Sequence, residues 1–245
     1  MAHSTMAIPP KTYARIAGIL YLIIAVVGGF SILYVPSVIL APGDAAKTAA
    51  NLLANQGLFG LGVVADVVVM TTEIVLSAML FVLFKPTSPT LSMIAMVSRL
   101  TMVLVMAINL LIYITPMLLL RDVDQGGLGI DQRQAAAQVL FEAHRYGIYI
   151  WDIFFGMHLA ALGYLIVKSG YFPRLLGLAI VIGSLGYLLE GLLKVTFFEN
   201  AALGTAVVVL LVVASVSELA FALWLLVRGP NIAAWEKKLA ALPPV

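Results

Sequence analysis

Six apolar runs, each long enough to cross a lipid bilayer and joined by short polar loops, constrain this chain more than any other feature. A membrane helix needs about 20 mainly apolar residues, and the runs cover roughly residues 14–35, 59–84, 91–119, 138–167, 173–194 and 204–228. In hydrocarbon every backbone N–H and C=O must find a partner within the protein, and a helix does this within one segment. The pattern predicts an all-α membrane protein, a six-transmembrane-helix bundle forming a single domain. The third and fourth runs exceed the hydrocarbon thickness and are expected to tilt or project beyond it. Pro116 is expected to bend the outer end of the third. Charged residues make up only 11% of the chain, against roughly 25% in soluble domains, too few to cover a water-facing surface. Lys11 and Arg15 resemble the charged start of a secretory signal. The run that follows is too long for a signal core and lacks a convincing A-x-A site, so it reads as a retained first span.

Loop charge predicts the orientation. One set of helix ends carries Lys11, Arg15, Lys85, Lys168, Arg174, Arg228, Lys237 and Lys238. The other carries Lys47, Arg121, Arg133 and Lys194, diluted by Asp44, Asp122, Asp124, Asp131 and Glu199. The positive-inside rule places both termini in the cytoplasm, as an even number of spans requires. The net charge of +2 predicts no nucleic-acid partner, and the absence of cysteine excludes disulfides, thiolate metal sites and a cysteine nucleophile.

Two outer connections carry helix signals. Residues 44–56 read as a short helix capped by Asp44. Residues 126–134 hold a glycine turn and then Asp131 with Gln134 three positions on, a capping-box spacing that predicts the fourth helix to begin in the loop. The tail, 229–245, is amphipathic. Ile232, Trp235, Leu239 and Leu242 are expected to dip into the lipid interface while Lys237 and Lys238 meet headgroups; a frayed tail is the alternative. A weak internal order sets Arg15, Arg99 and Arg174 near the starts of outward helices and Glu73, Asp152 and Glu218 near the middle of returning ones. That order is compatible with a triplicated hairpin, or with charge selection at helix ends alone.

Ionisable groups inside the spans are the candidate site, because charge is expensive in hydrocarbon and usually faces protein or water. On the second helix Phe59, Gly62, Asp66, Glu73 and Ser77 share a face. Arg99 on the third helix either snorkels to the cytoplasmic side or pairs inward with Glu73, Asp152 or Glu218. Asn109 suits helix–helix bonding. On the fourth helix His144, Trp151, Phe155 and His158 share one face, and Arg145, Tyr149 and Asp152 an adjacent stripe. The two histidines lie about 21 Å apart along the axis and cannot ligate one ion. No metal and no cofactor is predicted. H-E-x-x-H and nucleotide-binding motifs do not occur in a proper context. Without a mid-span lysine in the last helix there is no basis for a retinal Schiff base. Glu190 and Lys194, in the favourable i,i+4 order, suggest a structural ion pair. Glu218 stands more isolated beside Ser215 and Ser217.

The opening TYARIAGILYLI, the acidic second helix, the SRL of the third, the block EAHRYGIYIWDIFFGMHLAALGYLIVKSGYFPRLLG and the ending SELAFALWLLVRG resemble a bacterial family of six-span membrane proteins, domain-of-unknown-function family 4386. The resemblance implies the membrane architecture and assigns no catalytic residue.

Three functions compete at this point. One is an inner (plasma) membrane protein that binds or moves a small solute or proton through a polar interior lined by Asp66, Glu73, Arg99, Asp152, His158 and Glu218. Six spans are few for a complete transporter, which leaves a homo-oligomer open. A second is a membrane-embedded lipid-modifying enzyme using His144, Asp152 or His158 as a base. A third is a structural or sensory partner whose polar groups only fix helix packing. The first predicts a water-accessible path, the second acids and histidine within hydrogen-bond reach, the third closed ion pairs without a cavity.

Overall fold

A computed structural model describes residues 9–121 and 127–242. Asp122 and Asp124, counted above in the loop charge, lie outside the described residues, as do Gly126 and the last three positions of the tail. The described residues form α1 (Pro10–Gly28), a π-helical turn (Gly29–Tyr34), α2 (Val35–Ile39), α3 (Ala45–Ala54), α4 (Gln56–Phe84), α5 (Pro89–Arg121), α6 (Ile130–Ser169), α7 (Arg174–Val195), α8 (Ala201–Val227) and α9 (Ile232–Ala240). Six stretches are long and apolar enough to cross a membrane: Pro10–Ile39 and the helices α4 to α8. The chain is an all-helical, multi-pass membrane protein. At 40 residues α6 is about 60 Å long, twice a hydrocarbon core of about 30 Å, so it projects well beyond it.

Local sequence explains where helices start. Asp44, Ser88, Asn200 and Asn231 each stand before a helix and accept a hydrogen bond from the N–H three residues on, at 2.8, 3.3, 3.1 and 3.1 Å. Such caps satisfy donors that have no partner within the helix. The start of α6 differs from expectation. Residue 131 lies in the first turn instead of capping it, and the Gln132 side chain accepts from Gly129 N–H at 3.0 Å. Half of a capping box is present, two residues earlier than predicted, because glycine rather than aspartate occupies the cap. Pro116 stays inside α5 and deprives one upstream carbonyl of its helical donor.

The described residues divide into two compact units. The first draws on Met1–Leu22, Thr72–Val103 and Tyr149–Val245, the second on Ile23–Thr71 and Leu104–Ile148. Large apolar side chains such as Val26, Leu104, Ile108, Val139 and Leu175 are exposed by more than 60%, as a lipid-facing surface requires and a water-facing one does not tolerate in such number.

In the first unit, α6, α7 and α8 approach closely over small residues. A Cβ added at Gly177 would lie 2.6 Å from the Gly163 carbonyl, and one at Gly183 would lie 2.5 Å from Ala214 Cα. Without a hydrophobic force between helices in lipid, such backbone proximity supplies the packing energy. At one end Phe84, Tyr171, Phe172 and Phe221 form an aromatic cluster. The Leu83 carbonyl, in the last turn of α4, has no helical donor. It accepts instead from Tyr171 Oη at 3.0 Å and from Trp235 Nε1 at 3.0 Å. Trp235 is thus buried against protein, 1% exposed, and not inserted into lipid as predicted. Lys238 donates to the Lys168 carbonyl. The amphipathic tail forms α9, docked by its tryptophan.

The second unit has its own core of Val35, Ile39, Ala49, Leu52, Phe59, Tyr113, Met117, Leu120, Ala137 and Phe141. Gly62 packs on Val35, where a Cβ would meet Val35 Cγ1 at 3.1 Å. The π-helical turn carries buried Ser31.

Candidate functional site

Arg99 organises the first unit. It lies on α5, is 1% exposed, and bonds through Nε to Glu73 Oε2 of α4. Of the two readings of Arg99, inward pairing is the one adopted, with Glu73 as partner. Its Nη1 donates to Tyr21 Oη of α1 at 3.0 Å and meets His158 Nε2 of α6 at 2.9 Å. A guanidinium can only donate, so Nε2 accepts. His158 Nδ1 sits 2.8 Å from the Ala95 carbonyl, which can only accept. The two contacts together fix the neutral imidazole with its proton on Nδ1. The guanidinium also lies 4.9 Å from the Tyr21 ring centroid and 5.9 Å from that of Phe155, within cation–π range. Ser77 Oγ donates to the Glu73 carbonyl at 2.6 Å.

A second group of acids flanks this cluster in the same unit. Asp152 on α6 is buried, 4% exposed, and lies within electrostatic reach of Glu190 on α7. Half-buried Glu218 on α8 is within reach of both Arg99 and Glu73. Tyr187 of α7 lies within electrostatic reach of Glu218, Asp152 and Glu190 and near Ser215, whose hydroxyl donates to the Leu211 carbonyl at 2.9 Å. Its ring meets Phe155 and Trp151 edge-on at 4.8 and 6.1 Å. Glu190 and Lys194 interact electrostatically across one turn of α7. Tyr149 is half-buried, and its carbonyl is where a Cβ at Gly191 would intrude, at 2.5 Å. Beside His158 is a cavity of about 10 Å³ lined by Ser77, Ser92, Ala95 and apolar side chains.

The remaining candidates belong to the second unit. Asp66 is 9% exposed and faces Ser31 on the π-helical turn, whose hydroxyl donates to the Gly28 carbonyl at 3.3 Å. Such turns recur at functional sites because they re-aim one side chain out of helical register. His144 Nδ1 contacts the Asn109 carbonyl at 3.3 Å, its ring lies 4.5 Å from that of Tyr113, and Asn109 Nδ2 donates to the His144 carbonyl at 2.9 Å. Asn109 Oδ1, buried without a hydrogen-bond partner, fills the place a Cβ would take at Gly147, 2.2 Å from it. Asn109 therefore bonds helices together, as its residue type suggested. The acids of the α4 stripe belong to different units, Glu73 paired with Arg99 in the first and Asp66 facing Ser31 in the second. Arg145 corrects the sequence reading. It is exposed and pairs with Glu142 one turn back, whereas Tyr149 is half-buried and Asp152 buried on the same stripe.

Tyr21 and Tyr187 were not among the sequence candidates. A tyrosine hydroxyl in an apolar run needs a partner when buried, and that was the signal available for both.

The profile of a family described as Domain of unknown function (DUF4386) matches residues 16–229. An uncharacterized protein from Archaeoglobus fulgidus is 39% identical over 80 residues, which make up 33% of this chain and 44% of that relative. The chain thus spans less than half the length of the relative it matches. No solved structure matches the chain.

Proposed function

The chain belongs to the DUF4386 family, and from that premise we propose that it is an inner-membrane protein that binds, and through binding moves, a proton on the carboxylates around Arg99. The observation carrying this reading is one permanently charged guanidinium within reach of two carboxylates, Glu73 in direct contact and Glu218 at longer range. One cation neutralises one acid. The second leaves a net negative charge in hydrocarbon, at a cost of several kcal/mol, which a single bound proton removes. Exchange of Arg99 between Glu73 and Glu218 would hand that proton from one carboxylate to the other. Asp152 and Tyr187 extend the same chain of ionisable groups.

Cavity size favours a proton over a solute. About 10 Å³ accommodates one water at most, whereas small-molecule pockets run to several hundred Å³. The basic ends Arg15, Lys85, Lys168, Arg174 and Arg228 favour cytoplasmic termini. The test is proton flux into liposomes holding a pH-sensitive dye, driven by a potassium diffusion potential. Wild type and the surface control Glu142→Gln are expected to conduct, and Glu218→Gln to lose the flux. Infrared difference spectra on changing pH should lose a carboxylic-acid carbonyl band in the same variant. Flux equal to that of protein-free vesicles, with spectra unaltered by Glu218→Gln, would overturn the proposal.

A further inference from the structure

The outer face of the first unit carries a groove between α7 and α8. It has a volume of about 500 Å³ and is lined by Pro173, Leu176, Ala179, Val213, Val216 and Trp224 among others, nearly all apolar. The helices run antiparallel, with Gly183 against Ala214 and Gly186 against Leu211. The same register carried nine residues back sets Arg174 level with Leu223, beside the Trp224 end of the groove. Arg228 lies one turn further on, at the end of α8. Both arginines are exposed, and neither makes an ion pair within the described residues. From Trp224 to Val212 the groove follows α8 for about 18 Å, close to the depth of one leaflet of a hydrocarbon core about 30 Å thick. Its floor is set by small side chains, Ala179, Ala220 and Ser217, where larger ones would close it.

We infer that this groove is a binding site for one anionic phospholipid, with an acyl chain along α7 and α8 and the phosphate on Arg174 and Arg228. The length matches one acyl leaflet, the lining is nearly all hydrocarbon, and Arg174 and Arg228 bring two cationic groups to its Trp224 end. Guanidinium forks bind phosphate oxygens bidentately. Trp224, whose Nε1 donates to the Gly229 carbonyl at 3.1 Å, holds its ring at the same end, where the apolar chain would give way to the headgroup.

The full-length protein, purified in neutral detergent and delipidated, would be titrated with phosphatidylglycerol or phosphatidylcholine and read by native mass spectrometry. One bound phosphatidylglycerol is expected, preferred over phosphatidylcholine by about thirtyfold, as two basic residues near a headgroup would give. Arg174→Gln with Arg228→Gln should abolish the preference, and Ala179→Trp should abolish the adduct. Val216→Trp, at a more exposed position, obstructs the same groove if the first variant unfolds. Equal binding of the two lipids, an adduct unaffected by both tryptophans, or a dimer whose cross-links map to Val213 and Val216 would each overturn the inference.

Discussion

Arg99→Ala tests whether the polar centre of the first unit holds the fold as well as any proton. The guanidinium is 1% exposed and the Glu73 side chain 6%, so truncation leaves a carboxylate stranded in a low-dielectric interior. Breaking a buried pair from one side costs about 3–5 kcal/mol. Two further partners, Tyr21 Oη and His158 Nε2, lose their donor, adding about 1 kcal/mol each at most. For a chain of this size 1 kcal/mol is roughly 2–4 °C, so a total of about 3–7 kcal/mol should lower thermal unfolding in detergent by about 6–28 °C. Arg99→Met with Glu73→Gln should recover most of the loss, because no uncompensated ion remains. Arg99→Lys should recover only part, since an ammonium cannot reach Glu73, Tyr21 and His158 with the geometry of a planar fork. An alanine variant within about 1 kcal/mol of wild type, the value of a surface pair, would refute the reasoning.

On the cysteine-free background, Ala46→Cys and Leu128→Cys should react with an impermeant maleimide added outside cells, and Thr90→Cys and Lys237→Cys should not; the reverse pattern would invert the orientation. Gly177→Leu should destabilise by about 1–3 kcal/mol or more, because a Cβ there lies 2.6 Å from the Gly163 carbonyl, and a wild-type melting temperature would show that α6 and α7 are not in close contact there. Burial pushes the Tyr171 phenol up, opposed by its hydrogen bond with Thr87. Because the charged form is disfavoured when folded, this contribution is complete below the phenol's unfolded value and is lost as pH rises through the folded one. Tyr171→Phe should therefore flatten the alkaline loss of stability, and an unchanged alkaline profile would count against it. Asp44→Ala should cost about 0.5–2 kcal/mol through loss of its bond to Lys47 N–H, read as earlier proteolysis around α3.

The sequence alone determined what depends on one segment at a time. Hydrocarbon forces each apolar run to satisfy its own backbone, so six helices follow from six runs, and Asp44 announces its helix because a cap is a contact three residues long. Asp66, Glu73, Asp152 and His158 were legible as buried because an ionisable group in a span has few other places to go. Periodicity also turned Asp66 and Glu73 to one face. It could not say which partner each meets, since that depends on helices distant in sequence. Tertiary structure alone decided that Arg99 takes Glu73 in preference to Asp152 or Glu218, that Tyr21 completes its bonds from 78 positions away, and that Arg145 turns outward to Glu142. It also drew Trp235 off the lipid interface to the Leu83 carbonyl, 152 positions back. These choices rest on which donors and acceptors are left over once the helices pack, and leftover groups exist only in three dimensions.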